Sequence, residues 1–87
     1  MTNTVTLEKI TAKIVSETYT RLPSAKVLVC ELVLENGFSV RGEAAVVDPQ
    51  NFNLEIGKKI SKTNAINEIW QLEGYLLQEQ LYQKGKQ

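Results

Sequence analysis

The segment Gly57-Lys58-Lys59-Ile60-Ser61-Lys62 holds the chain's densest set of groups with chemistry to offer. It lies close to a predicted helix start. Unpaired N–H groups and the positive end of the helix dipole attract anions there, so Lys58, Lys59 and Lys62 suit a phosphate-bearing ligand or a nucleic-acid backbone. The competing reading is a solvated lysine face with no ligand. Other chemistry is thin. The chain has no histidine, which removes the commonest general base, the usual hydrolytic triads and most zinc sites. Cys30 is the one cysteine, so no intramolecular disulfide forms, and its apolar neighbours mark it as a buried small hydrophobe. A metal would have to rest on Cys30 and carboxylates alone, and neither metal nor cofactor is expected. No phosphate-binding loop or dinucleotide fingerprint can be assembled from the glycine spacings. Trp70 and Tyr75 could stack on a base, but Trp70 shares a helical stripe with Ile66 and reads as core. These residues describe a protein that binds or assembles, not an enzyme.

Length and composition narrow the classes further. The 87 residues make one domain, with 43% hydrophobic and 23% charged residues, ordinary values for a globular chain. Ten Lys and Arg balance ten Asp and Glu. A sequence-independent nucleic-acid binder is usually basic, because affinity scales with the phosphates it neutralises, so the balance weighs against nucleic acid. It equally lacks the acidic excess of a DNA mimic. Met1 to Thr6 is polar and starts no signal peptide. The longest apolar runs, Val27 to Cys30 and Ala44 to Val47, are too short to span a bilayer. The expected location is the cytoplasm, with no membrane contact.

Two prolines, Pro23 and Pro49, divide the elements that must position these groups. The first segment, about 5–19, carries Leu7, Ile10, Ile14 and Val15 at helical spacing and is predicted as a helix. Its Thr and Val content and the alternation of Ile10, Ala12 and Ile14 leave a strand open. Next come two β-rich runs, Val27 to Glu35 and Phe38 to Val47, joined by Asn36-Gly37, the signature of a two-residue type I′ hairpin over about 26–47. That loop pairs Glu35 with Phe38, Val33 with Val40, Glu31 with Gly42 and Val29 with Ala44. One face then shows Val27, Val29, Val33, Phe38, Val40, Ala44 and Val46. The other shows Leu28, Cys30, Leu32, Leu34, Ala45 and Val47, with Arg41 and Glu43 among them and Glu31 turned away from Glu43. Both faces are mostly apolar, and the chain's helices can cover only one. The second, comprising Leu28, Cys30, Leu32, Leu34, Arg41, Glu43 and Ala45, is therefore the expected homo-oligomer interface.

Asp48-Pro49 reads as a helix cap followed by proline, with Asn53 as a second cap. Phe52, Ile56, Ile60, Thr63, Ile66 and Trp70 form one helical stripe, continued by Leu77 and Leu81, with Leu72, Tyr75, Leu76 and Tyr82 to its sides. An unbroken helix to Gln83 would be about 45 Å long. A break is expected near Gln71 to Gly74, giving helices over about 53–70 and 72–83. The predicted class is α+β: an N-terminal helix, an antiparallel hairpin and two C-terminal helices on one face of the sheet.

From Asn36 onward the motifs Asn36-Gly37-Phe38, Gly42-Glu43, Asp48-Pro49 with Phe52, Ile56-Gly57 with Lys59-Ile60, Ala65, Ile69-Trp70 and Leu72-Glu73-Gly74-Tyr75-Leu76-Leu77 recur in order. They resemble a family of small tailed-bacteriophage proteins typified by gene product forty-nine of coliphage N-four and gene sixty-six of phage S-f-six. The likeness covers about Leu22 to Leu77, with Ser61 standing where alanine is expected. It implies a phage origin and expression in the cytoplasm of a bacterial host, and it carries no activity and no catalytic residues. The leading expectation is a non-catalytic accessory protein that self-associates and binds a host or host-defence component. One alternative is an oligomeric sponge for a phosphate-bearing signalling nucleotide, held by Lys58, Lys59 and Lys62. Another is a double-stranded nucleic-acid module, for which helix, hairpin and lysine-rich helix loosely resemble double-stranded-RNA-binding domains with the third strand missing.

Overall fold

The computed structural model describes residues 5–85; the polar start before Val5, and Lys86 and Gln87, lie outside the described residues. The elements run α1 (Leu7–Ala12), β1 (Ile14–Arg21), β2 (Val27–Leu34), β3 (Ser39–Ala45), a 3-10 turn (Pro49–Asn51) and α2 (Leu54–Gly85). The class is α+β, with a three-stranded antiparallel sheet in the order β1-β2-β3.

The first segment is thus part helix and part strand. Thr6 caps α1 by accepting a hydrogen bond from the Lys9 amide at 3.2 Å. Only Ile10 of the expected stripe is buried; Leu7 and Val15 are exposed. After Lys13 the run Val15-Ser16-Glu17-Thr18-Tyr19-Thr20 is rich in β-branched and aromatic residues, and pairing with β2 satisfies its backbone. Tertiary pairing overrides the helical spacing here. The register slips once, between Ile14 and Ser16.

The hairpin also differs from expectation by one residue. Its loop is three residues, Glu35-Asn36-Gly37: the Leu34 amide donates to the Phe38 carbonyl at 2.8 Å, and the Gly37 amide to the Leu34 carbonyl at 2.9 Å. Gly37 has φ of +91°, and Asn36 Oδ1 accepts from the Phe38 amide at 3.0 Å. This is the turn-plus-bulge closure that a left-handed glycine also permits. Val33 now faces Ser39, Leu32 faces Val40, Glu31 faces Arg41 and Cys30 faces Gly42. A one-residue slip exchanges the faces of one strand relative to the other. Leu28, Cys30, Leu32, Leu34, Val40, Gly42 and Ala44 therefore share the inner, buried face. Arg41, Glu43 and Ala45 turn outward with Glu31 and the half-buried Val27, Val29 and Val33.

α2 lies across β3 and β2. Asp48 caps the 3-10 turn through the Gln50 amide (3.0 Å), while Asn53 caps α2 through the Ile56 amide (3.1 Å). The helix buries Gly57, Ser61, Ala65 and Ile69, spaced four apart, and not the larger side chains of the expected stripe; Ile56 and Ile60 are exposed. Small residues let the helix backbone come down onto Gly42, and Asn64 Nδ2 donates to the Glu43 carbonyl at 2.8 Å. The core joins Ile10, Cys30, Leu32, Leu34, Val40, Ala65 and Ile69, with Ile14, Tyr19, Ile66 and Trp70 packed against it.

No break occurs near Gly74. One exposed glycine costs a helix about 1 kcal/mol, too little to end a run flanked by Leu, Glu and Gln. The two expected C-terminal helices are one, 32 residues long and about 48 Å by its rise, in a molecule measuring 58 × 22 × 19 Å. Beyond Leu77 no described residue is buried and only Glu79 is half-buried, so the end of α2 is an arm clear of the sheet.

A β-carbon at Gly42 would sit 2.2 Å from the Ala65 amide nitrogen and 2.3 Å from the Ser61 carbonyl oxygen. Gly42→Ala should lift α2 off the sheet and cost about 3 kcal/mol or more, read as a lower denaturant midpoint.

Candidate functional site

Two surfaces stand out, one at each end of α2. The first lies where side chains from its opening turns reach over to β1. Lys58 and Lys62, one turn apart, both reach β1: Lys58 Nζ sits 5.3 Å from the centre of the Tyr19 ring, and Lys62 Nζ lies 3.0 Å from Glu17 Oε1. The Arg21 guanidinium stacks 4.0 Å from the centre of the Phe52 ring. Two aromatic rings and three cations, with Glu17 paired to one of them, are therefore engaged here. Lys59 is exposed and makes neither of these contacts, so the three lysines predicted as one anion site do not converge on a single point.

Glu17 accepts a hydrogen bond from the Tyr19 hydroxyl as well as the Lys62 contact, and these two hold its carboxyl below the usual carboxylate range. Burial, then the Glu17 bond, pushes the Tyr19 hydroxyl upward. Cys30 is fully buried beneath this edge, and burial raises its thiol, which keeps it protonated and unreactive. No three His, Cys, Asp or Glu side chains among the described residues are grouped to hold a metal ion, and no described helix is long and apolar enough to cross a membrane.

The predicted oligomer interface is split in two. Leu28, Cys30, Leu32 and Leu34 are buried under α2, where they are unavailable to a second chain. Arg41, Glu43 and Ala45 lie on the opposite face, where Arg41 pairs with Glu31 at 3.3 Å. Glu31 and Glu43 share that face, contrary to the expected register. Trp70 packs against the core, whereas Tyr75 is exposed.

The second surface is one that the sequence pattern passed over. Phe38 at the hairpin tip and Leu72, Tyr75, Leu76 and Tyr82 along the arm are all exposed. At their base is a hollow of about 270 Å³ lined by Lys13, Leu34, Glu35, Asn36, Phe38, Leu72, Glu73 and Leu76. Lys13 and Glu73, both in its lining, pair with each other and tie the end of α1 to α2. The signal lay in Leu72, Tyr75 and Leu76, three and four residues apart, which an unbroken helix sets side by side.

The Glu17 contacts give stability a defined pH dependence. A carboxyl held low in the fold stabilises it above the ordinary Glu value of 4.5 and loses that contribution as pH falls through the folded value. The raised Tyr19 hydroxyl stabilises below its ordinary 10.0, and that contribution is lost as pH rises above it. The denaturation midpoint should therefore fall at both extremes, and Glu17→Gln should flatten the acid limb.

No curated protein and no solved structure matches the chain. Residues 5–81 match a phage protein family described by N4 Gp49 and phage Sf6 gene 66, from α1 through β1, the hairpin and most of the arm. With that match spanning all but its ends, the chain belongs to the N4 Gp49/phage Sf6 gene 66 family of phage proteins.

Proposed function

We propose that this phage protein is a non-catalytic accessory factor of the host cytoplasm that self-associates and acts by binding a host or host-defence component. The observation that carries this reading is the arm. Leu72, Tyr75, Leu76 and Tyr82 are exposed along this stretch of the helix, and clustered apolar surface of this kind marks an interaction site. Self-association thus rests on the end of α2 and not on the hairpin face expected from the sequence. In the three-stranded sheet that outer face is flanked by Ser16, Thr18 and Thr20 on β1 and by Ser39, Arg41 and Glu43 on β3, a polar frame that needs no cover. Native mass spectrometry of protein freshly purified from bacterial lysate should show a multiple of the 9.8 kDa chain. A clean monomer at micromolar concentration would sink self-association, and repeated failure to enrich any host protein from lysate would count against the target.

A second reading places a phosphate-bearing ligand at the other end of α2. Two observations favour it. β1 supplies the third strand that the likeness to double-stranded-RNA-binding domains lacked, so the order is helix, three strands, helix, with lysines opening the last helix. The Tyr19 and Phe52 rings beside Lys58 and Arg21 also offer faces and cations together, as a sequestered nucleotide would need. Titration with a short RNA duplex and with a cyclic dinucleotide separates the two ligands. Combined Lys58→Ala and Lys59→Ala should weaken whichever binds by about 10-fold or more at low salt. Unchanged affinity would remove this reading.

A further inference from the structure

We infer that two copies of the chain join edge to edge through β1, antiparallel and centred on Tyr19, so that their three-stranded sheets become one. This goes beyond the arm: it gives self-association a contact that uses no residue of the stretch from Leu72 to Tyr82.

The hydrogen-bond ladder leaves this edge open. Backbone bonds join Leu34 to Phe38 and Lys26 to Val46 at the two ends of the β2–β3 ladder, and Leu22 to Val27 at the end of β1–β2. Bonded residues alternate along an antiparallel strand, so the even-numbered residues of β1 face β2 with their N–H and C=O groups. Those of Glu17, Tyr19 and Arg21 point away from the sheet, and no backbone group of another described element bonds them. The opposite edge is guarded. There α2 lies across β3, and Asn64 Nδ2 donates to the outward Glu43 carbonyl at 2.8 Å.

The charges on β1 select a second copy as the occupant. Residues 14–21 contain neither lysine nor proline, the usual guards of an exposed edge, but Glu17 and Arg21 stand on its inner face with Tyr19 between them. A chance strand meets both charges unmatched. A second β1 centred on Tyr19 sets Glu17 opposite the partner's Arg21 and Arg21 opposite the partner's Glu17, with the two tyrosine rings side by side at the axis. Each facing pair exchanges two main-chain hydrogen bonds, about six in all. On the outer face Thr18 meets the partner's Thr20. Opposite charges, aromatic pairs and threonine pairs are the cross-strand combinations that favour a ladder. Centring on Glu17 instead sets two carboxylates against each other, and centring on Thr18 or Thr20 leaves Arg21 opposite Val15 or Tyr19. Arg21 has a donor to give: the Ala25 carbonyl takes Nε at 3.3 Å and Nη2 at 2.9 Å, and Nη1 has no hydrogen-bond partner among the described residues. The contact is isologous, so it closes on itself.

Charge exchange tests this. Arg21→Glu puts carboxylates on both sides of the facing pairs, and Glu17→Arg puts cations there. Each variant alone should pair at least about 10-fold more weakly than the parent, with unchanged far-ultraviolet circular dichroism. A one-to-one mixture should recover the mixed dimer, in preference to either pure pair, by native mass spectrometry. A spin label on the exposed Thr18→Cys reads the geometry with both charges native, since Cys30 is buried. Pairing through β1 brings the two labels within about 20 Å, from a strand spacing of about 4.8 Å and a two-residue stagger. Labels well beyond that distance in an assembled species, single variants that pair as the parent does, or a mixture that recovers nothing overturn the edge pairing and leave self-association through the arm standing. A monomer at micromolar concentration overturns both.

Discussion

The backbone of α2 meets the backbone of β3 at Gly42, and most of the architecture depends on how closely they approach. A helix on a sheet normally rides on its side chains, at a distance set by their length. Here Gly57, Ser61 and Ala65 line the underside of the helix, and Gly42 supplies the matching gap in the strand. The helix sinks low enough for Asn64 to reach the Glu43 carbonyl and for the β2 side chains Leu28, Cys30 and Leu32 to fill the space alongside. With Ile66, Ile69 and Trp70 packed into the core just beyond these small residues, the helix is anchored over its first half. Its axis, and so the direction of the arm, is set there.

That anchoring also decides which cations are available. Lys58 and Lys62 are drawn over β1 because the sunken helix brings its flank level with Glu17 and Tyr19. Much of their charge is spent within the fold, on a ring and a carboxylate, and Lys59 is left facing solvent. A neutral chain can therefore still present a locally cationic, aromatic edge at one end and an apolar one at the other. The two ends lie on one continuous helix.

The sequence disclosed the class, the hairpin and the Asn53 cap, because each depends on local residue types. It misled wherever a long-range partner chose between two local solutions. The segment 5–19 carries helical and strand patterns at once, and only pairing with the edge of β2 decides for the strand from Ile14 onward. Asn36-Gly37 is compatible with a two- or a three-residue loop, and the choice exchanges the faces of β2 and β3 relative to each other. The buried line of Gly57, Ser61 and Ala65 was invisible to a search for large apolar residues, although the expectation of a small residue at Ser61 agrees with it. Gly74 looked like a break because a straight helix seemed too long for a compact domain. The domain is elongated instead.

The end of α2 has a consequence for order in time. A helical stretch shorter than about a dozen residues and without tertiary contacts is marginal in water. Backbone amides past Leu77 are held by little beyond their own hydrogen bonds, while those over the sheet are locked by the core. The molecule therefore has two melting regimes, one cooperative and one fraying, with amide exchange fast in the second and slow in the first. Any partner that covers the arm binds only its folded form, so arm helicity rises with the concentration of that partner by mass action. The arm is thus a segment whose degree of folding reports on what it is bound to.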